Sequence, residues 1–250
     1  MDDQDLVPLL KRASMLEALL AEPRTTRELE HELSASRSTI HRATAAFVER
    51  GLLTDTDDGV VLTPMGRVLA REVVRFRDRA ETAHRLAVLF DEETSDAELP
   101  LSDLTDARVV EPSPRRPYVV LETILDRIRS AESIRLISAV ASPLYLDALA
   151  ERVDAGATVD AIFPREVVEI LFSEYGDLSR EMAREGPLTV RIHDGCPFDL
   201  FVFDDAMGIA SHQRNGGLEG FVECEDQNAV AWARERFQQC ANEAEYATIF

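Results

Sequence analysis

The sequence predicts a two-domain protein with an α+β N-terminal domain, a long linker helix and an α/β C-terminal domain with a mixed sheet. The 250 residues are enough for two domains that each bury a core. Apolar residues in the N-terminal part recur at helical spacing, whereas short apolar runs typical of buried strands alternate with amphipathic helices in the C-terminal part. The predicted boundaries are 1–63 for the N-terminal domain, 64–92 for the linker helix, 93–117 for a connector and 118–250 for the C-terminal domain.

Composition narrows the class of protein. The formal net charge is -20, and Lys11 is the only lysine in the chain. An acidic, lysine-poor surface stays hydrated in molar salt and is similar to the proteins of salt-loving archaea; an acidic mesophilic protein from a GC-rich genome is the alternative. Because no apolar run approaches 18 residues and no signal-like start is visible, we expect a soluble cytoplasmic protein without a membrane span.

The charge is unevenly distributed. Residues 1–90 carry 13 basic and 15 acidic side chains, whereas residues 91–250 carry 14 and 32. Only the nearly neutral first part is therefore expected to approach phosphates.

The first elements follow in the order that a helix-turn-helix requires. Residues 5–21 form an amphipathic helix that ends before Pro23, and Thr25 or Thr26 can cap a short helix over residues 27–33. A tight turn at residues 34–35 then leads to the next helix.

The helix that begins after Ser36 is the predicted DNA-reading element. Ile40, Ala43, Phe47 and Val48 form its apolar stripe, and Gly51 ends it. Its other side chains are donors and acceptors suited to base edges and phosphates, and the alternative is a surface helix with ordinary polar residues. The predicted DNA-binding residues are Ser36, Arg37, Ser38, Thr39, His41 and Arg42.

A β-hairpin is predicted next. Two β-prone runs, 52–54 and 60–62, flank a turn that contains Asp58-Gly59. Together the elements over residues 5–63 resemble a winged helix-turn-helix domain. The wing tips of that family often carry basic residues, but this tip carries Asp55, Asp57 and Asp58, so we expect it to make no DNA contact.

The linker helix starts at Thr63-Pro64 and is predicted to continue to about residue 90. Apolar residues recur along it at alternating spacings of four and three, which favours a dimerisation helix that places two recognition helices roughly 34–36 Å apart. The alternative is a helix that packs on its own domain. The predicted seam comprises Leu69, Val73, Phe76, Ala80, Ala83, Ala87 and Phe90.

The acidic, proline-containing connector is predicted to be loop-rich or a strand-like bridge. After it, helices and strands alternate and a meander follows, which predicts an α/β sandwich with a mixed sheet. Helices are predicted at 119–129, 142–155, from 164 to about 172, near 178–184 and at 228–245. Strands are predicted at 134–141, 158–163, 188–193, 200–203, 207–210 and 218–223.

Four segments carry a resemblance to known regulators: Val159–Phe163 running into Pro164, the stretch 190–195, the stretch 198–205 and the helix 229–234. With the order of the whole chain, they are similar to archaeal winged-helix transcriptional regulators with a C-terminal effector domain. Two relatives fit: the methanogenesis-regulator-type middle domain, and sugar-responsive regulators whose effector domain resembles phospholipase D. The resemblance implies a ligand-responsive transcription factor.

An enzyme is not predicted. Phospholipase D-type catalysis needs a His-x-Lys pair, but His193 is followed by Asp194-Gly195 and no lysine occurs after Lys11. The sequence also lacks a Gly-rich phosphate loop and an HExxH zinc motif, so no cofactor and no metal are predicted.

An effector site is expected at the carboxyl ends of the parallel strands, against helix N-termini. Polar residues there suit a small polar or anionic metabolite, unless they only cap helices and satisfy loop backbone. The predicted ligand-binding residues are Ser138, Ser142, Arg165, His193, Asp194 and His212.

The function predicted is therefore a sequence-specific regulator that binds double-stranded DNA as a homodimer and responds to a small molecule. One alternative is a protein-interaction adaptor whose winged helix does not bind DNA. Another is a thiol- or metal-responsive regulator, because Cys196 lies near His193 in sequence. The opposing interpretation is that Cys196, Cys224 and Cys240 are reduced thiols without a sensing role.

Overall fold

The chain divides into two compact units, Met1–Thr82 and Ala83–Phe250, each with its own apolar core. The computed structural model describes residues 3–90, 98–176, 188–195, 198–212 and 216–247. No helix within those ranges combines the length and the apolar character that crossing a membrane requires.

The N-terminal unit places helices around a short hairpin. Its core includes Leu16, Leu29 and Phe47, which are almost fully buried. The elements are α1 (Asp3–Leu10), α2 (Ala13–Ala21), α3 (Thr26–Glu32), α4 (Arg37–Glu49), β1 (Leu53–Thr56), β2 (Gly59–Leu62) and α5 (Pro64–Arg85), whose last three residues fall in the second unit.

The single helix predicted over residues 5–21 is wrong, because the chain turns at Lys11 and Arg12. The Arg12 backbone N–H donates to the carbonyl of Leu9 at 3.0 Å, a tight turn after which α2 begins at Ala13. The turn keeps Leu9 and Ala13 buried, so the apolar periodicity runs through it and does not reveal the break.

Local signals at the other helix ends are confirmed. Thr25 and Glu28 form a reciprocal capping box, in which Glu28 Oε2 accepts the Thr25 backbone N–H at 2.8 Å. Ser34 adopts a φ of 49° in the turn between α3 and α4, and Gly51 ends α4 at a φ of 69°.

The linker helix is shorter than predicted and ends at Arg85; a 3₁₀ helix follows at Ala87–Leu89. Leu86 and Leu89 are buried in the core of the C-terminal unit, and the Arg85 guanidinium donates to the carbonyl of Leu104 at 2.7 Å. The helix ends there because these residues are bound to the second unit by contacts distant in sequence.

The C-terminal unit is built on a mixed sheet, as predicted, and its described residues form eight strands where six are predicted. The strands are β3 (Arg108–Val110), β4 (Ser133–Ile137), β5 (Thr158–Phe163), β6 (Leu188–Ile192), β7 (Asp199–Val202), β8 (Met207–His212), β9 (Leu218–Cys224) and β10 (Glu245–Tyr246). Their order is β10-β6-β5-β4-β7-β8-β9-β3; β6, β5 and β4 are parallel, and every other neighbouring pair is antiparallel.

Successive residues of the central strands enter cores on opposite faces of this sheet. Phe201 belongs to one core, whereas Leu200 and Val202 belong to the other. The first core includes residues of α6 (Val119–Ser130), α7 (Pro143–Asp154) and α8 (Arg165–Glu174), and the second includes residues of α9 (Gln227–Glu243).

Two edge strands and one strand end differ from the predictions. The connector supplies β3, which pairs with β9, and β10 pairs with β6 after α9. The strand predicted over 134–141 ends at Ile137. The Ser138 backbone N–H still donates to the Ile162 carbonyl of β5, but the Ala139 backbone N–H donates to the Asp199 carboxylate instead of a neighbouring strand. The helix predicted near 178–184 lies outside the described residues.

Candidate nucleic-acid interface and effector site

Helix α4 has one buried face and one exposed face. Ile40, Ala43 and Phe47 of the predicted stripe are buried, and Val48 is half-buried. Thr44 is also buried. Its hydroxyl donates to the carbonyls of Ile40 and His41 in the preceding turn, and these hydrogen bonds satisfy the hydroxyl without water.

The exposed face of α4 presents the predicted DNA-binding side chains. Arg37, Ser38, His41 and Arg42 are exposed. Arg37 is 86% exposed and forms one long ion pair, 3.8 Å from its Nε to Glu30 Oε1. The Arg42 Nε donates to the Ser38 carbonyl at 3.3 Å, which leaves the end of its guanidinium available.

Two of the predicted hydroxyls serve the helix itself. Ser36 is the N-cap, and its Oγ accepts the Thr39 backbone N–H at 3.3 Å. The same Oγ lies 2.8 Å from Thr39 Oγ1 and 3.1 Å from Ser38 Oγ. This hydroxyl cluster orients the first turn of α4, the part that would enter a groove.

The β1–β2 hairpin follows α4 and has an acidic, exposed tip. Asp55, Asp57 and Asp58 are all exposed, and Gly59 makes the turn at a φ of 118°. A Cβ at Gly59 would lie 2.4 Å from the carbonyl oxygen of Arg24, so the hairpin packs closely on the α2–α3 loop.

The residues of the predicted dimerisation seam do not share one face. Val73 is buried in the core of the N-terminal unit and Leu69 packs against that core, whereas Phe76 is 60% exposed. Ala80, Ala87 and Phe90 are exposed and Ala83 is half-buried, but Ala87 and Phe90 lie beyond the end of α5. The helix therefore packs partly on its own unit.

In the C-terminal unit, the predicted ligand-binding residues lie at the carboxyl end of the parallel strands, in two groups. The first group follows β5 and β6. The Asp194 carboxylate accepts the backbone N–H of Arg165 at 2.8 Å, and so caps α8. The Arg165 guanidinium binds Glu245 at 3.2 Å, and His193 Nε2 lies 3.3 Å from Glu243 Oε2, so both side chains lie at the β10 edge.

The second group surrounds a buried carboxylate. Asp199, at the start of β7, is only 2% exposed. Its oxygens accept 2.7 Å hydrogen bonds from the Ser138 hydroxyl and the Ala139 backbone N–H, and its Oδ2 lies 3.8 Å from His212 Nε2. Ser142, at the N-cap of α7, makes no side-chain capping bond.

Burial controls the electrostatics of this group. Removal from water raises the pKa of Asp199, although His212 and the two hydrogen bonds favour the charged form. Burial, and next the nearby Asp199, raise the pKa of Tyr145, so its phenol stays protonated.

The same group contains a polar atom without a hydrogen-bond partner in the described part of the chain. His212 Nε2 is buried and makes no hydrogen bond there. A buried polar atom left unsatisfied costs roughly 1–3 kcal/mol, and native proteins leave few of them. A polar ligand that supplied partners here would recover that free energy.

Sequence reasoning missed Asp199 and Tyr145. The signal for Asp199 is visible in the stretch Phe198–Phe203, where a single carboxylate interrupts an apolar run typical of a buried strand. No sequence signal brings Tyr145 to this group, because α7 reaches it only through packing on the sheet.

Thiol and metal chemistry have no support in the described residues. Cys224 and Cys240 are buried, and burial raises the pKa of the Cys224 thiol. Cys196 lies outside the described residues. Within the described ranges, no group of three His, Cys, Asp or Glu side chains is arranged to hold a metal ion.

Comparison of the sequence with protein family models shows which family the chain belongs to. Residues 117–243, slightly more than half of the chain, match the family described as methanogenesis regulatory protein FilR1, middle domain. The chain belongs to this family. The predicted resemblance to the methanogenesis-regulator middle domain is thereby confirmed. Residues 1–85 match a second family, described as the HVO_A0261 N-terminal domain, and no curated protein matches the chain.

Several solved structures align with this chain at low sequence identity. TrmBL2, described as an archaeal chromatin protein with a novel mode of DNA binding, is 18% identical with a TM-score of 0.46, covering 96% of this chain and 94% of its own. The phospholipase D family member Nuc from Salmonella typhimurium is 17% identical with a TM-score of 0.44, covering 56% of this chain and 98% of its own. Phosphatidylserine synthase from Haemophilus influenzae is 11% identical with a TM-score of 0.41, covering 56% and 39%. At TM-scores below 0.5, these likenesses say nothing about what this chain binds.

Proposed function

We propose that this chain is a non-catalytic, sequence-specific transcriptional regulator. Its N-terminal unit is a winged helix-turn-helix that reads duplex DNA with α4, and its C-terminal unit holds a small polar metabolite. Membership in a family described by a regulatory protein supports this proposal.

The exposed face of α4 carries the proposal. Arginine matches the O6 and N7 acceptors of guanine, and serine and histidine bind several base edges. The order α3, tight turn, α4 and hairpin is that of a winged helix, in which α4 is the recognition helix. Arg37 and Arg42 are the strongest candidates for base contacts, because both are exposed and weakly engaged within the protein.

The hairpin concentrates this readout on α4. Its exposed aspartates, Asp55, Asp57 and Asp58, would be repelled by phosphates, so the hairpin contributes no backbone contact. A single helix with few contacts binds weakly, and a homodimer would double the contacts.

Exposed apolar side chains on α5 support a dimer. Met65, Val68 and Phe76 are 59–67% exposed on this helix. An apolar groove of about 190 Å³ lies beside Phe76, between α1 and α5. This face replaces the predicted seam, and light scattering on the full chain tests it: a monomer at the concentration that binds DNA would exclude the dimer.

The effector part of the proposal rests on the buried group around Asp199. Ser138 and His212 lie against this carboxylate at the carboxyl end of the parallel strands, where α/β proteins bind ligands. A metabolite that binds one arrangement of the dimer better than another would shift DNA affinity by that difference.

The decisive experiment is recovery of bound duplexes from a random-sequence pool with the full chain in high KCl, followed by affinity measurements. The double variant Arg37→Ala with Arg42→Ala should lose at least about thirtyfold in affinity for the recovered duplex, because each base contact contributes about 1–3 kcal/mol. The matched control, Arg115→Ala with Arg129→Ala, removes the same charge from exposed positions of the C-terminal unit and should bind as wild type. Unchanged binding by the first variant would refute α4 as the reader.

The second candidate is a protein-interaction adaptor. The acidic hairpin tip and the nearly neutral charge of residues 1–90 favour it, since both weaken attraction to phosphates. Failure of the wild-type chain to recover any duplex from the pool would select this candidate.

A further inference from the structure

A basic cavity lies beside α4, on the side toward the α1–α2 turn. Its volume is about 390 Å³, and three cationic side chains line it: Lys11, Arg12 and Arg42. Its remaining lining is formed by Val7, Pro8, Ala43, Ala46 and Phe47, so no described carboxylate faces the three charges.

This arrangement runs against the composition of the chain. Acidic residues outnumber basic ones by 20, and several described arginines, among them Arg24, Arg77 and Arg127, are paired with carboxylates. Lys11 and Arg12, in contrast, form no ion pair and no side-chain hydrogen bond with any described residue. Holding like charges together without a counterion is unfavourable, and a bound anion removes that cost.

Lys11 and Arg12 form the turn between α1 and α2. Both side chains line the cavity together with Val7 and Pro8 of α1, and the opposite wall is formed by the second half of α4. Arg42 belongs to both surfaces, since it lies on the exposed face of α4 and lines the cavity.

We propose that Lys11 and Arg12, which line this cavity beside Arg42, bind a phosphate of the DNA backbone next to the bases that α4 reads. This inference rests on the proposed DNA-binding function and adds a second set of contacts to it. Lysine suits this role as a compact charge with three donors, and arginine binds phosphate oxygens in a bidentate way. Backbone contacts of this kind set the position of a recognition helix without reading sequence.

The test measures affinity of the full chain for two duplexes, one recovered from the random pool and one of shuffled sequence, over a series of KCl concentrations. The variant Lys11→Gln with Arg12→Gln should lower the slope of log affinity against log salt by between about 1 and 2, since each lost phosphate contact removes about 0.9. Affinity should fall by a similar factor for both duplexes, because phosphates carry no sequence.

Two controls separate this site from a general effect of charge or folding. The charge-preserving variant Lys11→Arg with Arg12→Lys should keep the wild-type slope. Arg115→Gln with Arg129→Gln loses equal charge at exposed positions of the C-terminal unit and should also keep it. An unchanged slope in Lys11→Gln with Arg12→Gln, or a loss confined to the recovered duplex, would overturn the inference while leaving the proposed function intact. A wild-type chain that binds neither duplex would overturn both.

Discussion

Gly66 is the position where one added methyl group should do most damage to the N-terminal unit. It lies in the first turn of α5 and packs on the residue that precedes β1. A Cβ at Gly66 would lie 1.9 Å from the carbonyl oxygen of Leu52 and 2.8 Å from its carbonyl carbon, both backbone atoms. Because β1 follows α4 directly, this junction also fixes the end of the recognition helix.

The cost of Gly66→Ala follows from the contacts at this junction. A carbon atom ordinarily approaches a carbonyl oxygen to about 3.3 Å, so the backbone must separate by more than about 1 Å. The same Leu52 carbonyl accepts the Thr63 backbone N–H at 3.0 Å, and that bond would break. Overpacking costs about 1–3 kcal/mol and the lost hydrogen bond about 0.5–1.5 kcal/mol, offset by about 0.5 kcal/mol from the helix propensity of alanine in the first turn. The net destabilisation is about 1–4 kcal/mol.

Hydrogen exchange on the full chain measures this locally. Amides of β1, β2 and the first half of α5 should exchange roughly 5- to 1000-fold faster in Gly66→Ala, whereas amides of the C-terminal unit should not change. Gly51→Ala is the comparison, because its φ of 69° imposes strain of about 1–2 kcal/mol but no atom lies within 4 Å of the new methyl group. It should therefore raise exchange without selective loss of the Thr63 amide. Exchange within twofold of wild type at that amide in Gly66→Ala would refute the reasoning.

Two further predictions concern the C-terminal unit. Burial raises the pKa of Asp199, so the folded state binds the Asp199 proton up to a higher pH than the unfolded state does. The protonated carboxyl therefore favours the folded state at low pH. This contribution to stability is lost as the pH rises from the ordinary pKa of aspartate through the raised pKa of Asp199. The stability of Asp199→Asn relative to wild type should therefore increase with pH. Urea unfolding in high KCl between pH 4 and 8, followed by the fluorescence of Trp232, measures this difference. A difference that stays constant or decreases with pH would contradict the effect of burial on the Asp199 pKa. Cys224 and Cys240 should react with iodoacetamide at pH 8 at least tenfold more slowly in the native chain than in urea, because both thiols are buried and the pKa of Cys224 is raised. Peptide mass mapping resolves the two thiols, and rapid native labelling of Cys224 would revive the thiol-responsive alternative.

The features that were predictable from the sequence depend on neighbours within a few residues. The capping box at Thr25, the cap at Ser36 and the end of α4 at Gly51 each arise from contacts inside one turn of chain. The exposed face of α4 was predictable for the same reason, since its apolar stripe repeats at helical spacing. The buried runs of β4, β5 and β7 likewise predicted the centre of the sheet.

Tertiary structure alone decided what distant residues do to each other. Three features arise where one element packs on another: the turn at Lys11, the end of α5 at Arg85 and the burial of Val73. The spacing of apolar residues along the sequence carries no information on such contacts. The two- and three-residue strands β10 and β3 are too short to carry a pattern and exist through pairing with β6 and β9. The group around Asp199 and the cavity beside Lys11 unite residues far apart in the chain, because the free energy that holds them together comes from packing and not from local conformation.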